Sequence, residues 1–263
     1  GDTYYIVSDY HNGRSMRGTE EEFTSLKDRI YLCQYLADVL SVLEENRYLF
    51  LDLCEDNFLV IRQTKSRYQL RLFDMDSIID LSDLDNLHKA GGNIFYHEEY
   101  VPREIKALGN GRFNDIKKDY LEKSVAVYSL GVLFFKVFFG HIPTAEERKN
   151  LRDPRNTECA NTLALTYQIH RKMAGKLADI LRGMLSDQDE RYRYGFSSCS
   201  KVLQYLTEFA EKMNYEAYIS QKNIARANAT FAAYNMLQKH PLFDYFEPDG
   251  EGKRKIKAVI AGS

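Results

Sequence analysis

The sequence predicts a mostly helical fold with a few short β-strands near its front. Three observations carry that expectation. Apolar residues recur over 24–45 at Leu26, Ile30, Cys33, Leu36 or Ala37, Leu40 and Leu43, the spacing of a helix with one buried face. Residues 124–139 are apolar nearly all round, interrupted by Ser129 and Lys136, which marks a helix at the centre of a domain. Between them lie the short β-prone runs 49–53, 58–62 and 69–73, and the last two flank the polar segment 63–67 as a hairpin would.

The other elements follow in chain order. Residues 4–10 read as a strand entering the turn His11-Asn12-Gly13. After Asp74 comes a polar, Asp-rich stretch up to Tyr100 that contains Gly91-Gly92, and a segment that long without periodicity is functional or disordered rather than idle. Further helices are expected over 176–185, 197–213 and 215–238. Residues 255–263 read as a strand running into a glycine turn. Such a strand either opens a βαβ nucleotide-binding unit of a longer protein or caps this domain. No internal repeat or low-complexity tract interrupts the chain.

Composition narrows the function classes. The chain has 263 residues, enough for one large domain or two small ones, with 44% hydrophobic and 28% charged residues. A formal net charge of -2 gives no reason to expect nucleic acid or an anionic membrane as the main partner. No apolar run reaches the roughly 20 residues of a membrane helix, and no signal peptide is legible. Cys33, Cys54, Cys159 and Cys199 are scattered with no C-x-x-C pair, so they are expected to be free thiols in a reducing cytoplasm. The six histidines show no metal-ligand spacing.

The residues that can carry chemistry are Asp52-Leu53-Cys54-Glu55-Asp56-Asn57 and, after the hairpin, Phe73-Asp74-Met75-Asp76. Phosphoryl transfer needs an acid to orient the attacking hydroxyl and oxygen ligands to hold Mg²⁺ on the phosphates. Asp52 and Asn57 on one tight loop can face the same cleft, and Asp74 at the end of a hairpin strand can meet them from the side. Two carboxylates and an amide oxygen are the hard donors that Mg²⁺ prefers. Alone, D-x-x-x-x-N is a weak pattern: Asp52 can be a plain loop acid and Asn57 a turn residue. Asp76 is either a second metal ligand or a solvated acid.

In these residues the chain resembles the catalytic domain of the eukaryotic-type protein kinases, Ser/Thr kinase-like, and specifically its C-terminal lobe. Phe50-Leu51-Asp52-Leu53-Cys54-Glu55-Asp56-Asn57 stands where that family has H-R-D-L-x-x-x-N, and Asp74-Met75-Asp76 where it has D-F-G. Val7-Ser8-Asp9-Tyr10 is similar to the hinge between the lobes, and Tyr100-Val101-Pro102-Arg103-Glu104 to the A-P-E segment. Tyr128-Ser129-Leu130-Gly131-Val132-Leu133-Phe134-Phe135 and the following Gly140-His141-Ile142-Pro143 are similar to the buried central helix and its loop. Leu185-Ser186-Asp187-Gln188-Asp189-Glu190-Arg191 resembles the segment whose Arg pairs with the A-P-E Glu.

The resemblance covers about residues 4–212 in the family's order. It implies a C-lobe over 1–213, an additional helix over 214–240 and a tail over 241–263 whose strand either caps this domain or opens a further one. It also implies transfer of the ATP γ-phosphate to a Ser/Thr hydroxyl of a protein substrate. Asp52 would be the catalytic residue that orients the substrate hydroxyl, Asn57, Asp74 and Asp76 the Mg²⁺ ligands, and Asp9 and Tyr10 contacts of ATP. Glu104 and Arg191 would form a structural pair, with Arg193 as an alternative partner.

Departures from the pattern qualify these implications. The family's Gly-rich loop, ATP-contacting Lys and its Glu partner precede the hinge. Only a few residues precede Asp9 here, so the chain is expected to be a fragment without the ATP-binding N-terminal lobe, binding ATP and Mg²⁺ weakly by itself. Phe50 and Leu51 replace His and Arg, and Cys54 replaces a cation that neutralises the transferred phosphate. Ala126 stands where the central helix has an Asp that braces the catalytic loop. Two alternatives therefore stay open: a pseudokinase or scaffold module without catalysis, and a small-molecule kinase of the aminoglycoside or choline type, whose second motif also lacks glycine.

Overall fold

The computed structural model describes residues 12–19, 22–64, 67–73, 78–82, 96–106, 124–213, 246–248 and 254–256. It is mostly helical, with a few short antiparallel strands. The first long helix, α1 (Leu26–Glu45), starts where the Ser25 hydroxyl accepts the Asp28 N–H at 3.1 Å, which satisfies a backbone donor left over at the helix start. Its buried face contains Leu26, Ile30, Cys33, Leu36, Ala37, Leu40 and Leu43, as their spacing predicts.

A turn through Arg47, in left-handed conformation at φ 62, leads into strand β2 (Tyr48–Phe50). The loop that follows ends in the one-turn 3₁₀ helix Glu55–Asn57 and enters β3 (Phe58–Thr64). This strand pairs antiparallel with β4 (Arg67–Leu72) and, on its other side, with the short β1 (Arg14–Ser15). Beyond Asp74 and Asp76 the chain returns as β5 (Ile78–Asp80) to pair antiparallel with β2, Phe50 opposite Ile78 and Tyr48 opposite Asp80.

The short helix α2 (Arg103–Lys106) precedes the central helix α3 (Val125–Phe139), which is buried apart from Lys136 and Phe139. Gly131 lets α3 approach α6 (Arg171–Leu185): a Cβ there would sit 2.9 Å from Met184 Cβ. Gly140, at φ 81, ends α3 by returning its N–H to the Lys136 carbonyl at 2.7 Å. Thr144 and Glu147 form a capping box at the start of α4 (Ala145–Arg152). The remaining helices are α5 (Glu158–Tyr167), α7 (Gln188–Arg193) and α8 (Cys199–Lys212). The core forms where α1 packs against α8 and α3, and α3 against α6. Farther along, β6 (Phe246–Pro248) pairs antiparallel with β7 (Arg254–Ile256).

The helices expected over 24–45, 124–139 and 197–213 correspond to α1, α3 and α8, and the expected hairpin is β3–β4. The helix expected from 176 begins earlier, at Arg171, because the His170 ring caps it by accepting the Lys172 N–H at 3.2 Å. Periodicity missed α4 and α5, in which Leu151 and Leu163 respectively are the buried residues. The strand expected over 4–10 and the helix expected over 215–238 lie outside the described residues, as do all but 255 and 256 of the strand expected at the end. Among the described residues no helix is long and apolar enough to cross a membrane. All four cysteines are free thiols.

Candidate functional site

The loop after β2 is held by apolar side chains on one side and by Asn57 on the other. Phe50, Leu51 and Leu53 are at most 1% exposed, so all three belong to the core. Asp52, between them, is half-buried. Asn57 closes the loop: its Nδ2 donates to the Asp52 carbonyl at 2.6 Å and to Asp52 Oδ2 at 3.2 Å. The amide is buried at 6% exposure, so these bonds replace water for a group that would be costly to leave unpaired. Asn57 Oδ1 and Asp52 Oδ1 accept no hydrogen bond from the described residues.

The hairpin returns the chain to the same loop. Phe73, at the end of β4, donates its N–H to the Asn57 carbonyl at 3.0 Å. Ile78, at the start of β5, pairs with Phe50. The described residues on both sides of Asp74 and Asp76 are thus pinned to the ends of the loop that carries Asp52. Asp74 and Asp76 themselves, like Asp9 and Tyr10, lie outside the described residues.

Beneath the loop is a polar cluster that motif reading did not assign. Glu55 is 1% exposed; its carboxylate accepts the Tyr100 hydroxyl and pairs with Lys136, the one charged residue of α3. Arg17 adds Nε at 3.6 Å from Glu55 and Nη2 at 2.6 Å from Asp56. The Ser15 hydroxyl lies 3.5 Å from the Glu55 carbonyl and 3.4 Å from Asp56 Oδ1. Burial pushes the Tyr100 hydroxyl well above its ordinary range, so it stays a donor to the carboxylate. One sequence signal pointed here: a lysine inside an otherwise apolar helix needs a buried acid as partner.

Burial also raises the Cys54 thiol, against the opposing pull of the Asp56 and Asn57 N–H groups. A neutral thiol therefore occupies the position at which the resemblance implies a cation. Ala126 is buried in α3, and among the described residues the side-chain link from α3 to the 55–57 turn is Lys136 to Glu55.

The expected pair of Glu104 with Arg191 is not among the ion pairs of the described residues. The Arg191 guanidinium donates to the Ser186 carbonyl and lies 5.3 Å from the Tyr128 ring centroid. Among the described residues the two segments are joined through Arg103 and Asp187 at 3.0 Å, with Arg152 adding a second contact to Asp187 at 3.1 Å. Arg148 donates to the Glu99 carbonyl at 3.1 Å and to the Tyr128 hydroxyl at 2.6 Å, which ties the 96–106 segment to α3 and α4. No ion pair of Arg193 occurs among the described residues.

Among the described residues no group of three or more His, Cys, Asp or Glu side chains could hold a metal ion. Asn57 Oδ1, on the other arm of the amide from the Nδ2 that donates to the two Asp52 acceptors, is the kind of hard oxygen that Mg²⁺ takes. Compared with known proteins, the chain matches no family model and no curated protein.

Proposed function

We propose that this chain is the C-terminal lobe of a protein kinase that transfers the ATP γ-phosphate to a Ser/Thr hydroxyl of a protein. The observation that carries the reading is the closure of the 52–57 loop. One amide fixes the Asp52 backbone and carboxylate, and the hairpin strand that leads to Asp74 is bonded to the same residue. The order of elements supports it as well: a long helix, a short strand, the loop, a hairpin, a strand returning to the first, and a buried central helix.

In this reading Asp52 orients the substrate hydroxyl and accepts its proton. Asn57 and Asp74, with Asp76 beside them, would hold Mg²⁺, which when bound supplies charge neutralisation on the phosphates. The segment 96–106, anchored on α3 and α4, borders the loop through Tyr100 and is the natural place for a protein substrate to dock. Asp9 and Tyr10 would meet the nucleotide.

A specific observation favours the second reading, a binding lobe without catalysis: the neutral, buried Cys54 thiol where the transferred phosphate needs a cation. Phosphate transfer from labelled Mg-ATP by the full-length protein, onto a generic protein substrate, separates the two. Transfer that is lost in both Asp52→Asn and Asp74→Asn supports the kinase. Folded protein with no transfer overturns it in favour of the binding lobe, and transfer to a small aminoglycoside or choline-type acceptor alone moves the substrate class.

A further inference from the structure

We propose that Glu55 is a buried electrostatic clamp for the loop that carries Asp52 and Asn57, and that Lys136 and Tyr100 are positioning residues acting through it. Glu55 begins the single turn whose last residue is Asn57, so the position of its carboxylate sets the position of that turn. Three parts of the chain converge on it: Lys136 from the central helix, Tyr100 from the 96–106 segment, and Arg17 from the stretch after β1.

Their exposure separates their roles. Arg17 is 56% exposed and bonds mainly to Asp56, so water and salt screen it. Lys136 and Tyr100 are not screened in this way: the lysine side chain is 18% exposed and the tyrosine 1%. Asn57 in turn grips the Asp52 backbone. A continuous path of polar contacts therefore runs from α3 through Glu55 and the 55–57 turn to Asp52. Tyr100 joins that path from the proposed substrate side, so displacement of the 96–101 segment would release one of the two buried groups that hold the carboxylate among the described residues, and leave Lys136 and the exposed Arg17.

The clamp rests on the kinase reading only for its effect on turnover; its effect on the loop is independent of it. The test therefore has two arms, applied to the full-length protein with Lys136→Met, Lys136→Arg and Tyr100→Phe. In the first arm, amide hydrogen exchange is followed at 52–58 with α8 as internal reference. Lys136→Met should speed exchange at 52–58 by at least about 10-fold relative to α8, and Lys136→Arg should restore it. In the second arm, Lys136→Met should lower kcat by about 100-fold with KM for ATP changed less than about 3-fold, again restored by arginine. Tyr100→Phe, which removes only a hydroxyl, should move both readouts the same way by less, and it decides the matter if Lys136→Met does not fold. Equal exchange at 52–58 and α8 in the variants, or no restoration by arginine, overturns the clamp. If the wild-type protein transfers no phosphate, the kinase reading fails while the exchange arm still decides the clamp.

Discussion

Replacing Glu44 with glutamine should remove a pH dependence of folding that the wild-type chain carries. Glu44 is in the last turn of α1, and its Oε2 accepts the Cys199 N–H at 2.7 Å, at the start of α8. Its Oε1 is buried with no hydrogen-bond partner among the described residues. Burial pushes the carboxyl from its ordinary 4.5 up to about 7; the Cys199 hydrogen bonds oppose the rise, and the Glu45 charge adds to it. An acid raised in the fold is favoured there in its neutral form. Its contribution is therefore fully present below pH 4.5 and is lost as pH climbs to about 7. At about 1.4 kcal/mol per pH unit, the loss is at most roughly 3–4 kcal/mol. Asp38, raised to about 6 chiefly by burial, titrates in the same direction, so the comparison must be between wild type and variant. Glutamine keeps an acceptor for the Cys199 N–H but cannot ionise. Urea unfolding at about pH 5, about 6.5 and about 8 measures the difference. The variant should lose less stability across the series and be the more stable protein at the alkaline end, by up to roughly 2–3 kcal/mol. Parallel loss in the two proteins would refute a buried, neutral Glu44.

Two further predictions concern stability alone. Gly131→Ala should destabilise by about 1–3 kcal/mol, because the new Cβ meets Met184 Cβ at 2.9 Å and Leu185 Cδ2 at 3.2 Å. Gly175→Ala in α6, where a Cβ meets nothing within 4 Å, should instead stabilise by about 0.5–1 kcal/mol; denaturant midpoints of the pair give the contrast. Thr144→Ala removes the acceptor for the Glu147 N–H and half of the α4 capping box. It should cost about 0.5–2 kcal/mol, read as a small fall in Tm by calorimetry.

What was legible in advance was what neighbours in sequence decide. The period of α1, the apolar run of α3 and the paired runs of β3 and β4 are local patterns, and each became the expected element within a residue or two at most ends. Helices α4 and α5 left no such pattern, because each buries too little of its surface to impose an apolar period. In the candidate site, Asp52 and Asn57 are five residues apart, and their spacing foretold that they would meet.

Long-range electrostatics was a different matter. Lys136 stood out in its apolar helix, but nothing local names Glu55, 81 residues away, as its partner. Glu44 and Cys199 are 155 residues apart and meet because α1 packs on α8. Arg103 and Asp187 join the 96–106 and 185–191 segments from 84 residues apart, a contact that no local pattern names. The sequence by itself determined α1, α3, α8, the hairpin and the Asp52–Asn57 loop, because their hydrogen bonds and apolar periods are internal to short stretches of chain. Only the tertiary structure decided which charges meet beneath that loop, because a buried ion takes whichever counter-charge the packing of distant elements brings within reach.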